Sequence, residues 1–201
     1  MDIVPLLYEL ARREREEHRR EEGVYWVTDL VRCPLKREFE SAFPELAAQE
    51  VFKPSLVLGR LVHMGLQAAL KSEMGEGVEV EVEKSRDVVL PDGSKVELRG
   101  RIDAIVGKNV GVEIKYARAD IGIPLQHHVD QAKIYNWLFD LERTSLVYVT
   151  PDRVTEFKVE ERADVAEVVE RILSTEAPRY DWECTYCHFS VLCPKKRGRK
   201  G

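Results

Sequence analysis

The chain has 201 residues, 44% of them hydrophobic and 33% charged, and a net charge of -5. This length holds one sizeable core, the hydrophobic fraction excludes disorder throughout, and the high charged fraction favours a heat-adapted source. The longest apolar run, residues 56–70, is interrupted by Arg60, His63 and Gln67, and the first twenty residues lack the pattern of a secretion signal. We therefore expect a cytoplasmic protein with no membrane-spanning segment.

The N-terminal quarter of the chain is predicted to be mainly helical. Asp2 and Pro5 are typical of a helix start, and alternating arginines and glutamates extend that helix to about residue 22. Residues 24–27 predict a short strand, and Thr28 and Asp29 offer caps for one helix that carries Leu30, Val31, Cys33 and Phe39. A further helix is predicted from Pro54 to about Met74.

The middle of the chain predicts two antiparallel strand pairs. From residue 78 to residue 83, valine alternates with glutamate, which is the pattern of a half-buried strand. Short strands over 88–90 and 95–99 are joined by the turn sequence Pro91-Asp92-Gly93-Ser94. Residues 101–106 and 110–116 form the second pair, with the turn at 107–109.

The last third predicts a helix over 124–141, strands over 145–150 and 154–159, and a helix over 163–175. This order predicts an α/β fold in one domain, with a central mixed sheet flanked by helices. Five basic residues end the chain, namely Lys195, Lys196, Arg197, Arg199 and Lys200. They form either a solvated tail or a local patch for a polyanion, because the net charge gives no attraction over the whole molecule.

The four cysteines form an uneven pattern. Cys33 stands alone, whereas Cys184, Cys187 and Cys193 follow the spacing C-x2-C-x5-C. In a cytosolic chain such thiols favour metal or cluster ligation over disulfides, and a fourth thiolate would have to come from Cys33. The site would then join the N-terminal region to the C-terminus. Zinc on the same four thiolates, or a C-terminal site completed by His188, are the alternatives.

Two carboxylates and a lysine are predicted to meet on the second strand pair. Glu113 and Lys115 share one strand face while Ile114 faces the core, and pairing around residues 108–109 brings Asp103 beside Glu113. Adjacent carboxylates suit a divalent cation such as Mg2+ or Mn2+, and Lys115 would position water or offset charge on a phosphate. The same pattern is also common on a solvated strand face, and this alternative stays open.

Two further spacings on predicted helices are ambiguous by themselves. Gly59-x3-His63 places a histidine in an otherwise apolar helix, where a core role is common. Gln131-x3-Tyr135 places two polar groups on one helix face, where ordinary amphipathic packing is the alternative.

Taken in chain order, these motifs resemble a known family. Cys33, Gly59-x3-His63, Gly100-x2-Asp103, Glu113-x-Lys115, Gln131-x3-Tyr135 and the cysteine cluster resemble the RecB-like PD-(D/E)XK nucleases that carry an iron-sulfur cluster. The chain looks most like the fourth numbered family of CRISPR-associated (Cas) proteins. The resemblance covers residues 28–194 and uses every cysteine.

The resemblance implies a RecB-like restriction-endonuclease fold and a set of residue roles. A catalytic Mn2+ or Mg2+ would be held by His63, Asp103, Glu113 and the backbone carbonyl of Ile114, with Lys115 as catalytic lysine. Gln131 and Tyr135 would contact DNA. The four cysteines would ligate an iron-sulfur cluster, 4Fe-4S rather than 2Fe-2S. The cluster would join residues 24–53 to residues 177–194. Residues 54–176 would form the nuclease core, and residues 195–201 would form the basic tail.

The resemblance also implies an activity. We expect a metal-dependent exonuclease on single-stranded DNA, cutting from 5' to 3', with endonuclease activity as a further expectation. It would process spacer precursors in CRISPR adaptation together with integrase proteins. The alternatives are a related nuclease of DNA repair or recombination, and a non-catalytic iron-sulfur module that binds DNA or acts as an adaptor.

Overall fold

A computed structural model describes residues 2–17 and 21–198. The helices are α1 Ile3–Glu17, α2 Val27–Leu30, α3 Pro34–Ala42, α4 Pro44–Ala48, α5 Pro54–Met74, α6 Gln126–Phe139, α7 Val165–Leu173 and α8 Glu183–Tyr186. The strands are β1 Val24–Trp26, β2 Val78–Val89, β3 Lys95–Val106, β4 Val110–Tyr116, β5 Arg143–Val149 and β6 Val154–Val159, and short 3-10 turns span Gln49–Phe52 and Gly75–Gly77.

The six strands form one mixed sheet around β3. The antiparallel strand β2 pairs with β3 from Val78, opposite Val106, to Val89, opposite Lys95. The other edge of β3 is shared, because β1 runs parallel to its first half and β4 antiparallel to its second half. The parallel β5 and then the antiparallel β6 complete the sheet. The predicted α/β class with a central mixed sheet is confirmed.

Helices cover both faces of this sheet. On one face α5 packs its Val62, Leu66 and Leu70 against strand residues that include Ala104 and Ile114. On the opposite face α2, α6 and α7 form the larger core with Leu98 and Ile102. The bounds of α5 agree with the prediction because Pro54 opens its first turn and Gly75, with φ of 55°, ends it.

The helix predicted through Cys33 is wrong in one respect, because it is two helices. α2 ends at Leu30 and α3 begins at Pro34 with Cys33 as its N-cap. Proline has no N–H to donate within a helix and disfavours helical geometry in the residue before it. The N–H of Cys33 donates instead to Glu183 Oε1 at 2.6 Å, so the break joins this cysteine to the C-terminal segment.

Both predicted hairpins are present, although the strands are longer than predicted. Residues 78–83 and 88–90 belong to the single strand β2, and 95–99 and 101–106 to the single strand β3. The turn between them closes with the N–H of Leu90 donating to the Ser94 carbonyl at 2.8 Å. The second hairpin pairs Val106 with Val110, as the predicted turn requires.

The N-terminal helix is described only to Glu17, and residues 18–20 of the predicted helix lie outside the described residues. Of the basic residues at the C-terminus, Arg197 forms an ion pair with Asp181 at 2.9 Å, whereas Arg199 and Lys200 lie outside the described residues. Within residues 2–17 and 21–198, no helix is long and apolar enough to cross a bilayer.

Candidate active site and cysteine cavity

Asp103 lies at the centre of the candidate active site. Its Oδ1 lies 3.1 Å from Nδ1 of His63 on α5, and its Oδ2 accepts the backbone N–H of Ile114 at 2.6 Å. Burial opposes a charge on His63, but the hydrogen bond and negative charge of Asp103 outweigh that effect, so the pKa of the imidazole is raised. The fold thus brings the predicted residues from α5, β3 and β4 together.

Ile114 can contribute to this site only through its backbone. Its side chain is buried in the core under α5, as predicted from the strand alternation. The ladder between β3 and β4 ends at Ala104 and Val112, one step before Asp103 would meet Glu113. β3 and β4 separate at this point, and the side chain of Asp103 accepts a hydrogen bond from the β4 backbone instead.

Glu113 and Lys115 face the other side of β4, toward α6. Lys115 Nζ donates to Glu113 Oε1 and to Gln131 Oε1, both at 2.8 Å. Gln131 Nε2 donates in turn to Glu113 Oε1 at 3.0 Å. The side chain of Gln131 therefore holds both Lys115 and Glu113 in position.

Tyr135 supports Gln131 from one turn further along α6. Its hydroxyl accepts from Gln131 Nε2 at 3.1 Å and donates to the Arg101 carbonyl at 2.8 Å. The tyrosine is only 3% exposed, and burial followed by the charge of Glu113 raises its pKa well above the ordinary value, so the hydroxyl remains a donor. Both Gln131 and Tyr135 line the cavity over the site, but their contact with DNA stays a prediction.

The sequence analysis missed two polar residues next to Asp103. Gln67 Nε2 donates to the Asp103 carbonyl at 3.1 Å and also to Glu81 Oε1. Glu81 forms an ion pair with Arg101 at 3.0 Å, and both Gln67 and Glu81 line the same cavity. The spacing His63-x3-Gln67, which places two polar groups on one face of a mainly apolar helix, is the signal that would have identified Gln67.

The electrostatics of the site fit a cation. Glu113 is buried, and desolvation together with the charge of Asp103 raises its pKa to about 7. Its Oε2 is fully enclosed and makes no hydrogen bond within the described part of the chain. A carboxylate oxygen in that position lacks the partner that burial normally demands. The donor set of imidazole and carboxylates fits Mn2+ or Mg2+ by its chemistry, although these three side chains are not close enough together to hold the ion as they stand.

A cavity of about 990 Å³ opens over these residues. It is lined by His63, Asp103, Glu113, Lys115 and Gln131 and reaches α1 at Leu10. The site is therefore accessible to a large substrate, although its carboxylates are mostly buried.

All four cysteines line a second cavity, of about 680 Å³. None of them forms a disulfide, and each is half-buried. Burial raises the pKa of the Cys33 and Cys187 thiols, with smaller contributions from the neighbouring cysteines. Four thiols from opposite ends of the chain around one cavity fit a metal or iron-sulfur group.

The alternative ligand His188 does not line this cavity. Its ring packs on Phe189 with centroids 4.1 Å apart and lies 3.8 Å from Glu50. Among residues 2–17 and 21–198, no group of three or more His, Cys, Asp and Glu side chains is arranged closely enough to hold a metal ion as it stands. The cysteines share the cavity without forming such a group.

Comparison with known proteins agrees with this geometry. The chain matches the PD-(D/E)XK nuclease superfamily over residues 7–194. A CRISPR-associated exonuclease Cas4 of Saccharolobus solfataricus is 43% identical over 203 residues, which cover 96% of this chain and 98% of that relative. The crystal structure of SSO0001 superposes with a TM-score of 0.93 at 41% identity and covers 98% of this chain and 99% of its own. The iron-sulfur cluster stays a prediction. The resemblance to the PD-(D/E)XK nucleases is confirmed, and the chain belongs to that superfamily.

Proposed function

We propose that this protein is a CRISPR-associated exonuclease that hydrolyses the phosphodiester bonds of DNA with the help of a divalent cation. The observation that carries the proposal is the pair of carboxylates from the partly buried Asp103 and the buried Glu113, with Lys115 bonded to Glu113, in an accessible cavity. The relative that shares 43% of the sequence is itself named an exonuclease of this kind.

The ligands of the catalytic ion would be His63, Asp103, Glu113 and the backbone carbonyl of Ile114. The ion, when bound, polarises a phosphoryl oxygen and lowers the pKa of a water molecule. The uncompensated Oε2 of Glu113 supports this assignment, because a cation supplies the partner that this oxygen lacks. Mn2+ should serve at least as well as Mg2+, since an imidazole ligand suits Mn2+ better.

Lys115 is the proposed catalytic lysine. Its ammonium group is held between Glu113 and Gln131, so its direction is fixed before substrate binds. A fixed cation facing the cavity opposes the negative charge that develops on the phosphate in the transition state. Gln131 and Tyr135 act as the pair that orients this lysine. Gln131 already donates its amide group to Glu113 and Tyr135, so its proposed contact with DNA would use the remaining lone pair of Oε1.

The substrate we propose is single-stranded DNA, degraded from the 5' end, with endonuclease cleavage as a secondary activity. The net charge of -5 supports single strands over long duplexes, since a strong duplex binder needs many phosphate contacts. The biological role would be the processing of spacer precursors in CRISPR adaptation together with integrase proteins, in the cytoplasm.

The four cysteines would hold an iron-sulfur cluster, 4Fe-4S rather than 2Fe-2S. Such a group joins distant parts of a chain and adds its binding energy to folding. Residues 24–53 and 177–194 would form the stapled region. This division is supported by stacking of Phe39 on Phe189, with ring centroids 5.6 Å apart, and by the bond from Arg179 Nε to the Arg32 carbonyl. Residues 54–176 would be the nuclease core and 195–201 a basic tail.

A cleavage assay on end-labelled single strands tests the nuclease proposal. The protein should cut them with Mn2+ or Mg2+ and not after chelation, and labels at either end give the polarity. Replacing Asp103 or Glu113 by Ala should abolish cleavage and leave the fold intact. Full activity of both variants would contradict the proposed site.

A further inference from the structure

A row of aromatic side chains connects the two cavities. His128, which lines the catalytic cavity, lies beside His127 with ring centroids 4.0 Å apart, and His127 lies 4.9 Å from Trp182. Trp182 is followed by Tyr186 at 6.5 Å, and both residues line the cysteine cavity. We call His128, His127, Trp182 and Tyr186 the aromatic row.

The outer end of the aromatic row is open to solvent. Trp182 is 45% exposed and Tyr186 is 70% exposed. Large aromatic side chains usually bury most of their surface, so two exposed neighbours on one segment are unusual for a purely structural role. Neither residue lines the catalytic cavity.

Tyr180, which is not part of the row, holds Trp182 in place. Tyr180 stacks on Trp182 with an interplanar angle of 14°, and its hydroxyl donates to Asp130 Oδ2 at 2.8 Å. Asp130 also forms an ion pair with Arg171 at 3.1 Å, which ties the segment to α6 and α7. Trp182 is therefore presented on a fixed support rather than on a loose loop.

The two histidines in the row behave as uncharged rings. Burial, followed by the charge of Lys115, lowers the pKa of His127 to about 4, and the same causes place the pKa of His128 lower still. At neutral pH the row is thus a set of neutral aromatic surfaces.

Basic residues line the same cavity as the exposed end of the row, together with the carboxylates Glu50 and Glu183. The cavity that Trp182 and Tyr186 line is also lined by Arg118 and Lys195, which are exposed and make no ion pair within residues 2–17 and 21–198. Lys53 lines the same cavity and forms an ion pair with Glu50 at 3.6 Å. Cations next to exposed aromatic rings match the phosphates and the bases of an unpaired strand.

We propose that Trp182 and Tyr186 form a stacking subsite for the bases of single-stranded DNA, outside the catalytic cavity, with Arg118 and Lys195 neutralising the adjacent phosphates. This inference rests on the proposed function and adds the place where the strand is held beyond the cleavage point. Stacking accepts any base, because every base has an aromatic face, and it requires a single strand, because duplex bases already stack on one another.

The test measures DNA binding separately from cleavage. Full-length Asp103→Ala protein, as purified, is titrated against a labelled oligothymidylate and against an abasic strand of equal length, with binding followed by fluorescence anisotropy. Tyr186→Ala and Trp182→Ala are introduced into that background. Tyr186→Phe preserves the ring, and Phe52→Ala removes an aromatic residue that is 56% exposed but lines neither cavity.

Each alanine variant at the subsite should bind oligothymidylate about fivefold more weakly or worse, as expected for the loss of one stacked base. Its affinity for the abasic strand should hardly change, and Tyr186→Phe and Phe52→Ala should bind like the parent. An equal loss on both strands, or no loss on oligothymidylate, would overturn the subsite. If the wild-type protein did not cleave DNA, the proposed function would be contradicted, but the binding measurements would still test the subsite.

Intrinsic fluorescence gives a second measurement. Trp182 is more exposed than the buried Trp26, so a base stacked on it should quench the emission of the parent protein. Trp182→Phe should lose that quenching. Quenching that persists in Trp182→Phe would place the stacked base elsewhere and contradict the proposal.

Discussion

Gly100 is expected to be intolerant of even one added methyl group. A Cβ at this position would lie 2.7 Å from Leu138 Cδ2 and 3.0 Å from both Tyr135 Cε1 and Val27 Cγ2. All three neighbours are almost fully buried, so none can swing into solvent. Overpacking of this kind costs about 1–3 kcal/mol, which corresponds to a fall in Tm of about 2–12 °C for a chain of this size.

The same substitution should also reduce cleavage. Displacing the Tyr135 ring moves the hydroxyl that Gln131 donates to, and Gln131 holds Lys115. Misplacement of a catalytic group by about 1 Å can cost about 100-fold in rate, so Gly100→Ala should lose more activity than its stability change explains. The measurement is the single-turnover rate on single-stranded DNA at a temperature where the variant is fully folded.

Gly65→Ala is the matched control, because Gly65 lies on α5 and nothing within 4 Å would meet an added Cβ. Helix propensity predicts a gain of about 0.5–1 kcal/mol there, so its Tm should rise slightly. Shortening Leu138 to Val in the Gly100→Ala protein should recover part of the lost stability. A Gly100→Ala protein with the wild-type Tm and rate would refute the close-approach argument.

Three other outcomes are expected. Lys115→Ala should keep DNA affinity and lower the single-turnover rate by a factor on the order of 100, whereas lost affinity with an unchanged rate would make Lys115 a binding residue. Mn2+ should raise the Tm of the wild type and not of Asp103→Ala, because a bound cation relieves the repulsion between the carboxylates of Asp103 and Glu113. An equal rise in the Tm of both proteins would contradict the assigned ligands. Cys33→Ala and Cys187→Ala should both bleach the protein purified without oxygen and lower its Tm by similar amounts, and a Cys33→Ala protein that stayed brown would refute the staple.

The features that follow from local chemistry could be predicted from the sequence. Pro54 and Gly75 mark the ends of α5, and the Gly107-Lys108-Asn109 turn sets the register that brings Asp103 near Glu113. The alternation on β4 separates Ile114 from its two polar neighbours. Each of these depends on residues only a few positions apart.

The features that depend on tertiary contacts were missed. The break at Cys33 has a local cause in Pro34, but the contact that joins it to the C-terminal segment depends on Glu183, 150 residues further along, which accepts the N–H of Cys33. The aromatic row likewise joins α6 to α8, and its members are unremarkable in the separate segments of sequence. Gln67, which bonds the Asp103 carbonyl, and Glu81, which accepts from Gln67, also come from two different elements.

The position of Asp103 depends on an irregularity that no alternation pattern reveals. The ladder pairs Val80 with Ala104 and Val82 with Ile102 but skips the position between, where Glu81 has φ of 52°. Residues two apart on a regular strand share a face, yet here Ile102 packs under α6 whereas Ala104 packs under α5.

In both β2 and β3 the alternation of side chains between the two faces of the sheet is therefore shifted at this point, and Asp103 lies at the shift. On a regular strand the carboxylate of Asp103 would contact groups on only one face of the sheet. Here one oxygen contacts His63 on α5, and the other accepts a backbone N–H from β4, the strand that carries Glu113. Left-handed geometry in a non-glycine residue is costly and persists where surrounding contacts impose it, and Gln67 and Arg101 supply those contacts to Glu81. The strain at Glu81 is thus the structural reason why one aspartate can join the helix and the strand that complete the site.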